Sequence, residues 1–223
     1  MKKLFVWDFH GTLETGNIYA VKDLVNSVLK DFKINKKISI KEVREWYGLS
    51  WFDYFKLITP RGNDELWQDM VNRVLLFQKQ GWNITKIHIK PRKDSKEVLK
   101  KINKKGHQNI VLSNTAPQDI KKFTNLLNIT KYFTDIIGIK ERYTSKASQE
   151  VQRNKTKALI SFLKKKKYKK VIVIGDRESD IKTGINCGAI TYLFLDPVLN
   201  RNNGRKTGAE HVISDLKEVL REL

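Results

Sequence analysis

Cys187 is the single cysteine among the 223 residues. No internal disulfide can form from it, and neither a cysteine-ligated zinc site nor an extracellular disulfide framework is available, so the default location is the cytoplasm. Long apolar runs are equally scarce. The opening run MKKLFVW is ended by Asp8, well short of the apolar core of a secretory leader. No later stretch approaches the ~20 residues of a membrane-spanning helix, which leaves no membrane partner to expect. Acidic residues are outnumbered, 24 Asp and Glu against 44 Lys and Arg, giving a formal net charge of +20. Such an excess attracts nucleic acid, anionic lipid or phosphorylated small molecules without choosing among them. Only 10 of the basic residues are arginine, leaving 34 lysines. The guanidinium fork is the better reader of phosphates and bases, so lysine dominance fits general surface composition more than a built nucleic-acid groove. Nucleic acid is thus a partner that the charge allows and does not favour.

What is present is an alternation of short apolar runs and helical patterns. KLFVW (3–7) is apolar and aromatic and stops at Asp8, with Gly11 and Thr12 following, as in a buried strand that ends in a tight loop. QNIVLSNT (108–115) and KKVIVIGDRESD (169–180) repeat the pattern, and ITYLFL (190–195) follows a glycine-containing turn. Between them, Val98, Leu99 and Ile102 share one helical face that Gly106 ends, and Ala158, Leu159, Phe162 and Leu163 share another. Strands alternating with helices of this size predict an α/β fold, a Rossmann-like doubly wound parallel sheet.

Residues 14–88 read differently. Their periodicity is helical throughout, with Val21, Leu24, Val25, Val28 and Leu29 in one stretch and Leu66, Met70, Val71, Val74, Leu75 and Phe77 in another. They are expected to form a small all-helical domain inserted into a core made of residues 1–13 and 89–223. The aromatic stretch EWYGLSWFDYF (45–55) is expected to fill the core of that domain, with a pocket lining as the alternative. Near the C-terminus, HVI reads as a strand, and Leu216, Val219 and Leu220 as one side of a last helix. Asp196 reads as a loop residue.

In open parallel sheets functional groups collect at the carboxyl ends of the strands, where Asp8, Ser113 and Asp176 all fall. An aspartate directly after a buried strand, with a threonine four positions on, offers a carboxylate nucleophile and a hydroxyl for a phosphoryl oxygen. A carboxylate approaching a dianion needs a divalent cation, and Asp176 and Asp180 supply oxygen ligands from a second loop, a donor set that suits Mg²⁺. A lysine would neutralise the remaining charge on the phosphoryl group.

These residues match a known pattern. VWDFHGTLE resembles the first motif of the haloacid dehalogenase superfamily, IVLSN with Ser113 and Asn114 the second, and VIVIGDRESDIKTGINCGA the fourth. Lys155, opening KTKALISFL, is similar to the lysine of the third motif, with Lys146 as the other candidate. The resemblance runs from Leu4 to about Leu195, and the helical insertion sits where many relatives carry a helical cap domain. VREWYGLSWFDYF and NITKYFTDIIG are similar to phosphoglycolate phosphatase-like members. The resemblance implies a Mg²⁺-dependent phosphatase, a phosphoric monoester hydrolase acting on a small phosphorylated metabolite. Asp8 would attack phosphorus to form an aspartyl-phosphate that water then hydrolyses. It implies Asp8, Asp176 and the backbone carbonyl of His10 as metal ligands with Asp180 as a further one, and Thr12, Ser113, Asn114 and Lys155 around the phosphate. Basic residues of the insertion, such as Arg44, Lys56 and Arg61, are candidates for a second anionic group.

The departure from the family lies at His10. Its phosphatases carry there an aspartate that protonates the leaving group and later activates water. Imidazole transfers protons near neutral pH, so His10 is a chemically competent acid and base. The alternatives are an activated substrate such as an acyl phosphate or phosphoanhydride, or a catalytically altered or inactive protein of this fold that binds nucleic acid or another polyanion. A nucleic-acid end phosphatase is a further variant, and its contact surface would be the lysines around 86–105 or 164–170. Substrate and oligomeric state are not legible in the sequence.

Overall fold

The computed structural model describes residues 1–80, 82–139, 147–196 and 207–223, with side chains for all of these except 80, 82, 83 and 147–152. Lys146 lies outside the described residues. The core unit is built on six strands among them: β1 (Leu4–Trp7), β4 (Gln108–Ser113), β5 (Phe133–Gly138), β6 (Val171–Gly175), β7 (Ile190–Phe194) and β8 (His211–Ile213). Their order is β5-β4-β1-β6-β7-β8, and all neighbours are parallel. β1 sits centrally, with Val6 level with Ile110 of β4 and Val173 of β6. A separate antiparallel ribbon pairs β2 (Glu14–Thr15) with β3 (Lys90–Pro91).

Both faces of the sheet are covered, which is why its strands read as continuous apolar runs rather than as an alternation. On one face Leu4, Val6, Ile110, Leu112 and Val173 meet Leu159 of helix α8 (Ala147–Leu163). On the other, Trp7 donates through Nε1 to Asn109 Oδ1 at 2.9 Å. Asn109 in turn donates to the Leu99 carbonyl of helix α6 (Ser95–Lys104), whose Val98, Leu99 and Ile102 are buried. Asn109 thereby has its amide satisfied inside the sheet, as a buried polar group must. Helices α7 (Pro117–Leu126) and α9 (Glu178–Asn186) complete the wrapping beside β5 and β6. Proline opens α7, where its missing N–H and fixed φ cost nothing.

The second unit holds helices α1 (Asn17–Asp31), α2 (Ile40–Trp46), α3 (Trp51–Ile58), α4 (Asp64–Gln80) and α5 (Trp82–Lys86). Its core takes Leu24, Val25, Val28 and Leu29 from α1, and Met70, Val71 and Val74 from α4. The aromatic stretch divides between two helices, because Gly48 at φ 107° breaks the chain and Ser50 restarts it by accepting from the Asp53 N–H. Tyr47, Trp51, Phe52, Tyr54 and Phe55 are buried within this unit.

Two sequence expectations need correction. Helix α8 begins at Ala147, so Lys155 stands two turns inside it rather than at its start. The C-terminal segment Leu216–Glu222 is a 3₁₀ helix, and at three residues per turn it buries Leu216, Val219 and Glu222 instead of Leu216, Val219 and Leu220. The buried Glu222 accepts from Tyr192 Oη at 2.8 Å.

The lysine runs share one place. The segments preceding β1, β4 and β6 meet at the amino edge of the sheet, where the Lys169 N–H donates to the Lys2 carbonyl and the Gln108 N–H to that of Lys3. Lys2, Lys100, Lys104, Lys105, Lys164–Lys167 and Lys169 are exposed around this edge. Lys93 and Lys96, at the other end of α6, are not part of it.

Candidate functional site

Hydrogen bonding between parallel strands carries the chain ends of β1, β4 and β6 to one level, and the loops that leave them meet there. The Asp8 N–H donates to the Ile174 carbonyl at 2.8 Å, so β1 keeps its register up to the first polar residue. After Phe9 the chain turns tightly. The N–H groups of Thr12, Leu13 and Glu14 all point at the Phe9 carbonyl, at 3.3, 3.0 and 3.3 Å. The turn depends on Gly11, which has a φ of 84°. A Cβ there would stand 2.6 Å from Asp176 Oδ2. Gly175 plays the matching part below Asp180, whose Cβ lies 2.4 Å from where a Gly175 Cβ would be.

The result is a buried cluster. Asp8, Asp176 and Asp180 each place a carboxylate oxygen within 4.8 Å of the others, and all three are buried. Lys155 reaches in from α8 and donates to Asp8 Oδ1 at 2.8 Å and to Asp180 Oδ1 at 2.5 Å. Burial alone would push its amine down, and the carboxylates of Asp180 and Asp8 more than reverse this, so the amine is held above the ordinary lysine range and stays charged. Asp180 sits in the first turn of α9, where the helix dipole favours an anion, and its Oδ2 accepts from the Arg177 N–H at 3.2 Å. Arg177 Nε lies 3.8 Å from Asp176 Oδ1.

Three carboxylates against one buried ammonium leave an excess of negative charge in a dry site, which is unfavourable without a further cation. The donors are hard oxygens from two loops, and Gly11, lacking a Cβ, lets its backbone lie close against the Asp176 carboxylate. That set fits a divalent cation of the Mg²⁺ kind. Gly11→Ala drives a methyl group into the Asp176 carboxylate and strains the turn. We expect a loss of roughly 1–3 kcal/mol in urea unfolding, together with loss of any Mg²⁺-dependent rise in melting temperature.

The other expected site residues gather at the same edge. Thr12 is fully buried, and its hydroxyl has no hydrogen-bond partner among the described residues. Ser113 ends β4, buried, with its Oγ accepting from the Thr115 N–H at 3.3 Å. The Asn114 Oδ1 is buried without a partner among the described residues. His10 packs edge-on against Phe9 and Phe123, with ring centroids 5.1 and 5.2 Å away. Arg44, Lys56 and Arg61 are exposed on the helical unit.

Sequence reading missed Glu14 and Arg92, and it read Asp196 only as a loop residue. Glu14 is fully buried, and its Oε1 lies 3.0 Å from His10 Nδ1 and accepts from the Gly11 N–H at 3.1 Å. Its only sequence signal was an acid placed between Leu13 and a helical pattern, which reads as a helix-start residue. Arg92 donates to the Gly11 carbonyl at 2.9 Å and the Glu14 carbonyl at 3.2 Å, and it forms a buried ion pair with Asp196. Asp196 is therefore a structural anchor that ties the Asp8–Glu14 loop to the end of β7 through Arg92. A pair 104 residues apart leaves no local trace in the sequence.

A family model of haloacid dehalogenase-like hydrolases matches residues 5–193. A protein of Caldanaerobacter subterraneus subsp. tengcongensis, provisionally named pyrophosphatase PpaX, is 24% identical over 217 residues, 97% of this chain and 92% of its own. The phosphoglycolate phosphatase of Aquifex aeolicus is 26% identical over 122 residues, 55% of each chain. The haloacid dehalogenase-like family hydrolase SP0104 of Streptococcus pneumoniae superimposes with a TM-score of 0.79 at 13% identity, over 99% of this chain and 98% of that one. No helix among the described residues is long and apolar enough to cross a membrane. The family match runs from β1 into β7 and takes in each strand end that feeds the carboxylate cluster: this chain belongs to the haloacid dehalogenase-like hydrolases.

Proposed function

We infer that the chain is a Mg²⁺-dependent phosphatase, a phosphoric monoester hydrolase acting on a small phosphorylated metabolite through an aspartyl-phosphate on Asp8. The observation that carries this reading is the buried cluster of Asp8, Asp176 and Asp180 with Lys155 between two of its members. Asp8, Asp176, Asp180 and the His10 carbonyl would hold the ion, which offsets negative charge around the phosphoryl group when bound. Asp8 attacks phosphorus. Thr12, whose hydroxyl has no partner among the described residues, takes a phosphoryl oxygen, with Ser113 and Asn114 beside it. Lys155 holds the Asp8 carboxylate in place and lends its charge to the transferring group. His10 gives a proton to the leaving oxygen and later takes one from water.

Two relatives frame the substrate class by their names, one a phosphoglycolate phosphatase and one a pyrophosphatase. A phosphoanhydride leaves more easily than an alcohol and asks less of an acid. The buried carboxylate held against His10 favours the ester, because a leaving group that needs no proton gives that arrangement nothing to do. The deciding experiment is phosphate release with Mg²⁺ from glycerol phosphate, p-nitrophenyl phosphate, acetyl phosphate and pyrophosphate, by wild type and His10→Ala. An ester phosphatase turns over glycerol phosphate, and His10→Ala loses about 10²-fold or more on it while keeping most of its rate on acetyl phosphate. Turnover of pyrophosphate and acetyl phosphate alone, indifferent to His10, would move the substrate to the anhydrides. No turnover of any of the four would set the phosphatase reading aside.

A further inference from the structure

Glu14 is a carboxylate with no exposure to water, on a two-residue strand, at the end of a loop whose other acid, Asp8, belongs to the cluster. Burying such a group is costly unless its partners compensate. Among the described residues its side chain has no lysine or arginine partner. Its Oε1 meets two groups, the Gly11 N–H and His10 Nδ1, and its Oε2 has no hydrogen-bond partner among the described residues. A hydrophobic residue would fill the same space with less penalty, so the carboxylate needs a reason beyond packing.

The contact supplies one. Oε1 already accepts from the Gly11 N–H, which marks it as the accepting oxygen of the side chain. The proton in the His10 contact therefore sits on Nδ1. The plane of the ring is set as well, since Phe9 and Phe123 approach it edge-on at interplanar angles of 82° and 78°. A histidine whose Nδ1–H is tied to a buried acceptor has one tautomer and one free nitrogen, Nε2.

We propose that Glu14 is the positioning residue for His10, holding the ring in its Nδ1–H form so that Nε2 alone exchanges protons with the reacting groups. The inference rests on the phosphatase reading only for its kinetic consequence; the tautomer is a property of the protein at rest. In that reaction the ring enters as imidazolium, with a second proton on Nε2: Asp8 forms its bond to phosphorus as the bond from phosphorus to the leaving oxygen breaks, and that oxygen takes the Nε2 proton, which leaves the neutral Nδ1–H form. The neutral Nε2 then takes a proton from the water that attacks the aspartyl-phosphate, which returns the Asp8 carboxylate and releases phosphate. Nδ1–H stays on Glu14 throughout.

The test uses the full chain labelled with ¹⁵N-histidine, observed by long-range ¹H–¹⁵N correlation in alkaline solution without Mg²⁺, where imidazoles are neutral and tautomers resolve. The signal of His10 is identified by its loss in His10→Ala. Wild type is expected in the Nδ1–H form. Glu14→Gln keeps that form, since its carbonyl oxygen can remain on the Gly11 N–H. Glu14→Leu, similar in size, loses it and shifts toward the Nε2–H form preferred by free imidazole. Kinetically, Glu14→Leu loses about 30-fold or more on glycerol phosphate and only a few-fold on acetyl phosphate, and adds nothing to His10→Ala in the double variant. An Nε2–H tautomer in wild type, an unchanged tautomer in folded Glu14→Leu, or a further loss from Glu14→Leu in the His10→Ala background would overturn the assignment. Should Glu14→Leu fail to fold, wild type and Glu14→Gln still decide it, with the Nε2–H form in wild type as the refuting result. A protein that hydrolyses nothing but shows the Nδ1–H form would refute the phosphatase reading and leave this one standing.

Discussion

Asp8→Asn is expected to abolish phosphate release by four orders of magnitude or more, about the effect of removing a nucleophile, while leaving the metal-free protein at least as stable as wild type. The two halves of the result come from one geometry. Asp8 is one of three buried carboxylates within 4.8 Å of one another, and Lys155 is the cation that contacts it. An amide in its place is nearly the same shape and removes one of the repelling charges, and Lys155 keeps its second partner in Asp180. The melting temperature in chelator should therefore hold or rise, and the further rise on adding Mg²⁺ should shrink, since a ligand stabilises by its affinity for the folded state. A variant that melts well below wild type in chelator would mean that the Asp8 carboxylate serves the fold more than the chemistry.

Lys155→Met should have the opposite signature. The ammonium is almost entirely buried, and its two carboxylate partners lie at 2.8 and 2.5 Å. Removing it leaves Asp8 and Asp180 buried without the ammonium they share, a defect that costs roughly 3–5 kcal/mol where buried pairs are broken. Chemical unfolding in chelator should show this loss, and millimolar Mg²⁺ should recover part of it by supplying positive charge to the same carboxylates. Lys155→Arg should recover little, because a planar fork on a longer stem does not replace a compact ammonium wedged between two oxygens. If Lys155→Met unfolds like wild type in chelator, the carboxylates are already neutralised by other means, and the argument for a cation at this cluster loses its main support.

The parts of the fold legible in the sequence are those whose physics is local. β1, β4, β6 and β7 are covered on both faces, so each appears as an unbroken apolar run that ends at a polar residue, and the strand ends that feed the cluster could be read directly. β5 escaped notice as a strand because it lies at the sheet edge: Phe133–Gly138 is half-exposed, with Asp135 in its middle and no buried run to mark it. The start of α8 reads too late in the sequence because ASQEVQRN offers one large apolar residue, Val151, and one is too few to carry a helical period. The cluster was legible because a carboxylate at a strand end is visible one motif at a time. The contact of Glu14 with His10 was not, since an i to i+4 pair outside a helix meets only when a turn as tight as that around Gly11 folds it back. Arg92 and Asp196 illustrate the limit further, a pair set by the ends of different strands and written nowhere in the local sequence.

The lysines gathered at the amino edge of the sheet lie opposite the carboxylate cluster, so the core unit carries its charge unevenly from one strand end to the other. An anionic support, such as a sulfonate bead, should draw the core unit by that edge first. The core unit should attach by the edge that holds Lys2, Lys104 and Lys164–Lys167 and leave the Asp8 end turned toward the liquid. Material immobilised in this way should meet a small dissolved anion as freely as protein in solution, with the resin acting as a fixed orientation rather than as a competitor for the carboxylate cluster.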